Sequence, residues 1–223
     1  MQTKTFRLFI SSTFSDFNEE RRLLQTYVFP EIKKYSSDLG EYTFQPIDLR
    51  WGVSNVAQLD QKTLELCIDE VHASKLQPYP NFLIMAGDRY GWVPLTYAIE
   101  QKEFEIILDK VCDEDRVVVD QWYKLDENQI PPSYILQERV KEYKVYNNWE
   151  KAENQLRDII QKAVNESDLS DEIKYTYFES ATEQETVDGI LNYKGLTKFQ
   201  ELELSGSNED IKLIDKSNIY SYI

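Results

Sequence analysis

Phe6-Arg-Leu-Phe-Ile-Ser-Ser-Thr-Phe-Ser-Asp-Phe-Asn-Glu-Glu-Arg21 is the stretch that decides the fold. Leu8-Phe-Ile10 is an unbroken apolar run, which predicts a buried strand, and apolar residues at helical spacing then continue to Asp38. Hydroxyl side chains occupy the turn between the two elements. Ligands of open α/β sheets bind in the crevice beyond the carboxyl ends of the strands, and exposed helix N–H groups there favour anions. We therefore expect the first turn of the chain to be a binding site.

Two further strand–loop–helix units follow this segment. Thr43–Leu49 predicts a second strand, Asp60–Ser74 carries apolar residues on one helical face, and Asn81–Ala86 is a continuous apolar run typical of a central parallel strand. Units of this kind join parallel strands through right-handed crossovers. The pattern predicts an α/β fold with a doubly wound, mostly parallel sheet, in which three polar loops emerge at the same edge.

The first predicted helix carries local signals at both ends and in its interior. Asp16 and Glu19 form a predicted capping pair at its start. Pro30 lies inside the apolar pattern and lacks a backbone N–H group, so we expect the helix to be kinked or split there. Gly40 marks the expected end of the helix.

Four segments organise the chain. Residues 1–96 carry the first part of the α/β core, and residues 97–170 are predicted to form a helical insertion before the last strand. Residues 171–195 are expected to complete the core, with a strand at Tyr175–Phe178 and a helix over Ser180–Leu191. Residues 196–223 are polar and broken, as expected of a C-terminal extension or a linker.

Composition excludes several classes of function. Among 223 residues, 40 acidic side chains outnumber 25 basic ones, and the resulting net charge of −15 repels nucleic acid and anionic membrane surfaces. The single histidine, His72, leaves no His/Cys cluster for zinc, so no metal site is predicted. Cys67 and Cys112 do not make a disulfide framework, and no signal peptide or membrane-spanning run is present, which favours the cytoplasm.

A set of short motifs follows a defined order along the chain. The set comprises Phe9-Ile-Ser-Ser-Thr-Phe-Ser-Asp16 with Glu20-Arg21, Val28-Phe-Pro-Glu31, Asp48-Leu-Arg-Trp-Gly52, Cys67 with Glu70, Gly87-Asp-Arg-Tyr-Gly91, Trp122-Tyr123, Asp126-Glu-Asn128, Pro131-Pro132 and Thr182-Glu-Gln-Glu185. In this order and spacing they resemble the TIR-like domain found at the N-terminus of NACHT and other STAND NTPases. That group includes NACHT-and-WD-repeat proteins and bacterial antiviral sensors. The resemblance covers most of the chain.

The resemblance implies a flavodoxin-like (TIR-like) sheet whose active members cleave an N-glycosidic bond, often that of NAD. It therefore implies NAD as a substrate, with no cofactor, in an effector domain of defence and innate immunity that works through self-association. Other TIR-like domains serve only to assemble with one another, so a non-catalytic adaptor module is the alternative. A base- or nucleoside-transferring enzyme is a third interpretation. The chain has no Gly-x-x-x-x-Gly-Lys-Ser/Thr loop, so the NTPase and sensor modules are expected on a segment outside this sequence.

Two glutamates are the predicted catalytic residues. By the family comparison, Glu185 matches the catalytic glutamate of TIR domains best, and Glu183 is second. A carboxylate beside a departing nicotinamide stabilises the oxocarbenium-like sugar, and in the first turn of a helix the macrodipole would keep it ionised. The alternative is a capping box, in which Thr182 and Glu185 satisfy each other's backbone N–H groups.

The predicted binding side chains follow the first three strands. Hydroxyl groups for phosphate or ribose come from Ser11, Ser12 and Thr13, and guanidinium groups for pyrophosphate come from Arg50 and Arg89. Trp51 and Tyr90 are the predicted stacking rings, and Asp48 is also a predicted substrate-binding residue. Each group has a structural alternative. The hydroxyls can form caps or turns, the arginines can pair with Asp48 or Asp88, and the rings can pack over the sheet rim. Glu20 and Arg21 are expected to form a structural pair under the first loop.

Overall fold

The structure is a computed structural model, which describes residues 4–13, 15–40, 42–49, 61–77, 80–191 and 220–222. The chain divides into two compact units. The first unit comprises Met1–Gly52, Glu65–Trp92 and Ser180–Ile223, and the second comprises Val53–Leu64 and Val93–Glu179.

Helices and strands alternate along the described part of the chain. In chain order they are strand β1 (Lys4–Ser11), helix α1 (Asn18–Leu23), a first π-helical turn (Leu24–Val28), helix α2 (Phe29–Asp38), strand β2 (Tyr42–Ile47), helix α3 (Thr63–Lys75), strands β3 (Phe82–Met85) and β4 (Ala98–Glu100), helices α4 (Gln101–Leu108) and α5 (Asp113–Trp122), strands β5 (Tyr123–Asp126) and β6 (Ser133–Leu136), a 3-10 turn (Lys141–Lys144), helices α6 (Tyr146–Glu166), α7 (Asp171–Thr176) and α8 (Ala181–Thr186), a second π-helical turn (Val187–Leu191) and strand β7 (Tyr220–Tyr222).

The first unit is built on a parallel sheet with strand order β2-β1-β3-β7. Neighbouring residues of β1 point to opposite faces of this sheet. Phe9 packs in one buried cluster with Val71 of α3, and Ile10 packs in another with Phe29 of α2. Helices therefore cover both faces of the sheet, and the predicted mixed α/β fold with a parallel sheet is confirmed.

The first helical segment is interrupted, as its sequence predicts. The π-helical turn ends at Val28, and Pro30 lies in the first turn of α2, where its missing N–H group is tolerated. Gly40 adopts a φ of 77° and its N–H group donates to the Ser37 carbonyl at 2.9 Å, which ends the helix. The predicted capping pair of Asp16 and Glu19 is wrong, because α1 begins at Asn18 without a side-chain cap.

The strand predicted at Tyr175–Phe178 is wrong. Its first two residues are the last two of α7, whose start is capped by the Ser170 hydroxyl, which accepts a hydrogen bond from the Ile173 N–H group at 3.4 Å. The fourth strand of the parallel sheet is instead β7, which pairs with β3. It lies within the segment predicted as an extension or linker, whose residues 196–219 are outside the described part of the chain.

The second unit combines an antiparallel sheet, in the order β4-β6-β5, with helices α4, α5 and α6. Its core contains Phe104, Trp122 and Trp149, and the rings of the two tryptophans meet edge to face with centroids 4.9 Å apart. The sequence predicts a helical insertion at residues 97–170 and does not predict the three short strands that the structure shows there. Nowhere in the described ranges is a helix both long and apolar enough to cross a bilayer.

Candidate functional site

Four segments of the first unit meet beyond the carboxyl ends of its parallel strands. Ser11, at the end of β1, bonds to Glu185 of α8, and Asp48, after β2, pairs with the buried Arg21 of α1. After β3, Gly91 has a φ of 99°, and a Cβ atom there would lie 3.2 Å from the Thr13 methyl group and within 4 Å of the start of α8. The ends of β1 and β3 and the start of α8 are therefore in contact, Arg21 links the segment after β2 to Ser12, and Glu185 is the acidic side chain that bonds to β1.

That acidic side chain, Glu185, is buried, with an exposed fraction of 7%. The Ser11 hydroxyl donates to its carboxylate at 2.6 Å. Burial raises the pKa of Glu185 to about 7, although the bond from Ser11, the Cys67 thiol and the positive charge of Arg21 act in the opposite direction. The side chain is therefore poised to gain or lose a proton near neutral pH.

The expectation that a first-turn helix dipole keeps Glu185 ionised is wrong. Glu185 is the fifth residue of α8, beyond the first turn in which the helix dipole acts most strongly. Removal of the carboxylate from water is the larger effect. A carboxyl group with a raised pKa in the crevice of a parallel sheet is a candidate for a functional group, and a catalytic role for Glu185 stays a prediction.

The helix cap lies two residues earlier than the proposed capping box. The Ser180 hydroxyl accepts a hydrogen bond from the Glu183 N–H group at 3.1 Å, and Ser180 is the N-cap of α8. The Thr182 carbonyl instead accepts from the Thr186 hydroxyl at 2.7 Å. The capping interpretation of Thr182 and Glu185 is therefore wrong, and the Glu185 carboxylate bonds to Ser11.

Arg21 lies under the first loop, as the sequence predicts, but its partners differ from the expected Glu20. Its guanidinium group is buried and donates two hydrogen bonds to the Ser12 hydroxyl, at 3.2 Å from Nε and 2.6 Å from Nη2, while Nη1 pairs with the buried Asp48 carboxylate. The expected pairing of Arg21 with Glu20 is wrong, since adjacent residues on a helix do not face each other.

The three hydroxyl groups after β1 are used within the protein. Ser11 donates to Glu185, Ser12 donates to the Thr13 carbonyl at 3.1 Å, and Thr13 donates to the Asp16 carboxylate at 2.6 Å. These bonds are those of turn-forming residues. Contact of the hydroxyls with phosphate or ribose stays a prediction.

The remaining predicted binding residues lie on the exposed side of the loops. Arg89 donates to the Ser15 hydroxyl at 2.8 Å and its Nε lies 3.3 Å from the Asp16 carboxylate, so Asp16 takes the place of the expected Asp88. The Tyr90 hydroxyl donates to Glu183 and accepts from the Ser180 N–H group at 3.3 Å. Glu183 and Glu185 are thus held by different partners.

Arg50 and Trp51, two predicted ligand contacts, lie outside the described residues. Within the ranges that are described, no three His, Cys, Asp or Glu side chains are grouped so that they could hold a metal ion.

Comparison with known proteins gives one family and several relatives. A family model described as "Domain of unknown function (DUF4062)" matches residues 7–185. The chain is 36% identical over 121 residues to mouse NACHT domain- and WD repeat-containing protein 1, an alignment that covers 53% of this chain and 8% of that protein. It is 30% identical over 142 residues to human NACHT and WD repeat domain-containing protein 2, covering 60% and 8%.

A third relative is rat telomerase protein component 1, which is 37% identical over 94 residues, covering 42% of this chain and 3% of that protein. The chain therefore spans less than a tenth of the length of these relatives. No solved structure matches it significantly.

Proposed function

The chain belongs to the DUF4062 family, and from this premise we propose that it is a TIR-like effector domain of a NACHT-type (STAND) defence or signalling protein, which hydrolyses the N-glycosidic bond of NAD or a related nucleotide on oligomerisation. The observation that carries the proposal is Glu185. It is a buried carboxyl group with a pKa raised to about 7, located where parallel-sheet proteins bind their ligands.

The chemistry of this bond suits a single carboxylate. Nicotinamide is already cationic in bound NAD, so its departure needs little acid assistance, and the ribose passes through an oxocarbenium-like state. Among the described residues, no lysine or arginine forms an ion pair with Glu185, although Arg21 acts on it through its charge. A positively charged sugar would therefore provide a close counter-charge for the carboxylate in a site from which water is largely excluded.

The low exposure of Glu185 supports a link between activation and assembly. With 7% of the residue accessible, the side chains around it must move before a ribose reaches the carboxylate. Ser11 would then exchange its bond to Glu185 for one to the sugar, and Arg89, on the exposed side, would meet phosphate. In the parent protein, neighbouring copies would supply the energy for this rearrangement.

A non-catalytic self-association module is the second candidate. The observation in its favour is that Ser11, Ser12 and Thr13 each donate to an acceptor within the protein, as expected for a scaffold that needs no ligand. In both proposals the NTPase and sensor modules belong to a part of the parent protein outside this sequence, and the setting is cytoplasmic, with neither nucleic acid nor membrane as a partner.

The test compares nicotinamide release from NAD by three proteins, each fused to the same oligomeric carrier. The unmodified chain should release nicotinamide, and Glu185→Gln should abolish the release. Glu31→Gln is the matched control, because Glu31 is exposed on α2 and loses the same charge. Self-association without turnover of NAD, NADP or ATP would favour the adaptor. Turnover that persists in Glu185→Gln but is lost in Glu183→Gln would move the catalytic role to Glu183.

A further inference from the structure

The loop that follows β3 is joined to the start of α8 by backbone and side-chain hydrogen bonds. The Ala181 N–H group donates to the Trp92 carbonyl at 2.8 Å. The Tyr90 hydroxyl donates to the Glu183 carboxylate and accepts from the Ser180 N–H group at 3.3 Å. One phenolic oxygen therefore bonds both to the backbone just before the helix and to a side chain of its first turn.

The backbone of the same loop lies directly against the start of α8. A Cβ atom at Gly91 would be 3.5 Å from the Thr182 hydroxyl oxygen and 3.6 Å from the Ser180 Cβ atom. The φ of 99° at Gly91 is one that residues with a side chain rarely adopt. The turn at Gly91 therefore holds its neighbour Tyr90 within reach of Ser180 and Glu183.

We propose that Tyr90 is a positioning residue for Glu185: its hydroxyl fixes the first turn of α8, and so keeps the Glu185 side chain of that helix buried against Ser11. This role belongs to the hydroxyl of Tyr90, whereas the stacking predicted from the sequence belongs to its ring. Any consequence for catalysis rests on the proposed function, but the positioning itself does not.

Helix α8 needs such contacts because it is short. It has six residues, and a helix of this length is marginal in water without tertiary contacts. Glu183 is its third residue and Glu185 its fifth, and the Gln184 N–H group between them donates to the Ser180 carbonyl at 3.0 Å. Loss of the bonds at Ser180 and Glu183 should therefore loosen the turn that carries Glu185.

The bonds of the hydroxyl, rather than the packing of the ring, are expected to supply this support. Tyr90 is 56% exposed, so its ring removes little apolar area from water. A hydrogen bond to a carboxylate is stronger than one between neutral groups. Tyr90→Phe keeps the ring and removes both bonds, so it tests the hydroxyl alone.

The test is the labelling of carboxyl groups by a water-soluble carbodiimide and an amine, followed residue by residue with mass spectrometry. Glu185 is buried in the unmodified chain and should react slowly. Its reaction requires opening of the turn, so the rate reports the population of the opened form. Removal of the two bonds should raise that population about threefold to tenfold, and Tyr90→Phe should accelerate labelling of Glu185 by the same factor.

Two controls separate this local effect from a general loosening. Glu153 is a buried glutamate of the second unit, and its labelling should be the same in Tyr90→Phe as in the unmodified chain. Equal acceleration at Glu153 and Glu185 would contradict a positioning role. Tyr35→Phe is the matched variant, because it makes the same change at an exposed tyrosine of α2 and should leave Glu185 labelling unaltered.

Variants of Glu183 test whether the hydroxyl acts through this partner. Glu183→Gln keeps an acceptor oxygen and should label Glu185 at close to the unmodified rate. Glu183→Ala removes the acceptor and should accelerate the labelling. Combined with Tyr90→Phe it should add little, because both changes remove the same bond.

Unchanged labelling of Glu185 in Tyr90→Phe, or fully additive effects of Tyr90→Phe and Glu183→Ala, would overturn the proposal. The labelling uses the purified chain without NAD and needs no turnover. Its outcome is therefore distinguishable from the success or failure of the proposed reaction.

Discussion

Replacing Glu185 by glutamine should make the folded chain more stable at pH 8, and should do so by less than about 1 kcal/mol at pH 5. Burial raises the pKa of Glu185 from an ordinary value of 4.5 to about 7. The folded chain therefore holds this proton more tightly than the unfolded chain does. Stability contributed by the protonated group is fully present below pH 4.5 and is lost as the pH rises through about 7.

The size of the effect follows from the same difference. A tenfold change in a protonation equilibrium corresponds to about 1.4 kcal/mol, so the loss amounts to about 3 kcal/mol above pH 7. Glutamine carries no charge at either pH and avoids this loss, while its amide oxygen can still accept from Ser11. The variant should therefore exceed the unmodified chain by up to about 3 kcal/mol at pH 8.

Urea unfolding of both proteins at pH 5 and pH 8 measures the effect. The stability gain of Glu185→Gln at pH 5 is subtracted from its gain at pH 8, so the titration of every other group cancels. Glu31→Gln is the control, because Glu31 is exposed and its replacement should change stability equally at both pH values. A gain for Glu185→Gln that is the same at pH 5 and pH 8, to within about 0.5 kcal/mol, would refute the argument that a buried charge is held at this position.

Two further substitutions test the packing around the site. Arg21→Met leaves Asp48 as an uncompensated buried charge and should lower the free energy of unfolding in urea by about 3–5 kcal/mol. Arg22→Met is the control and should cost far less, because the Arg22 side chain is 55% exposed. Equal losses in the two variants would contradict the central place of Arg21. Gly189→Ala would bring a Cβ atom within 2.3 Å of the buried Phe82 ring. We therefore expect the free energy of unfolding to fall by about 2 kcal/mol in the same measurement. An unchanged stability would show that this close approach is wrong.

The sheet unit was predictable because local signals there agree with the tertiary fold. The run at Leu8–Ile10 and the proline and glycine at positions 30 and 40 each specify one local feature, and each is found. The strand predicted at Tyr175–Phe178 is wrong because the capping Ser170 starts a helix that overrides the β propensity of the aromatic residues. Strand β7 was missed because three residues of parallel strand have no periodicity that distinguishes them from a loop.

The site was predictable in its location and less so in its contacts. Sequence reasoning brought Ser11 and Glu185 to one edge, since both follow from the position of strand ends and of a late helix. The capping box predicted at Thr182 and Glu185 is wrong because Ser180, which is also followed three residues later by a glutamate, is the cap. The bond between Arg21 and Asp48 joins residues 27 positions apart, and no local pattern specifies such a partner.

The most direct measurement of the central claim is the Glu185 carboxyl ¹³C resonance at pH 7 during a titration with NAD. A cationic nicotinamide riboside placed against the carboxylate lowers the pKa of the carboxyl group, because an opposite charge favours the ionised form. We predict a saturable displacement of the resonance towards its ionised limit. A resonance that stays unchanged at millimolar NAD, in the chain fused to its oligomeric carrier, would contradict the account.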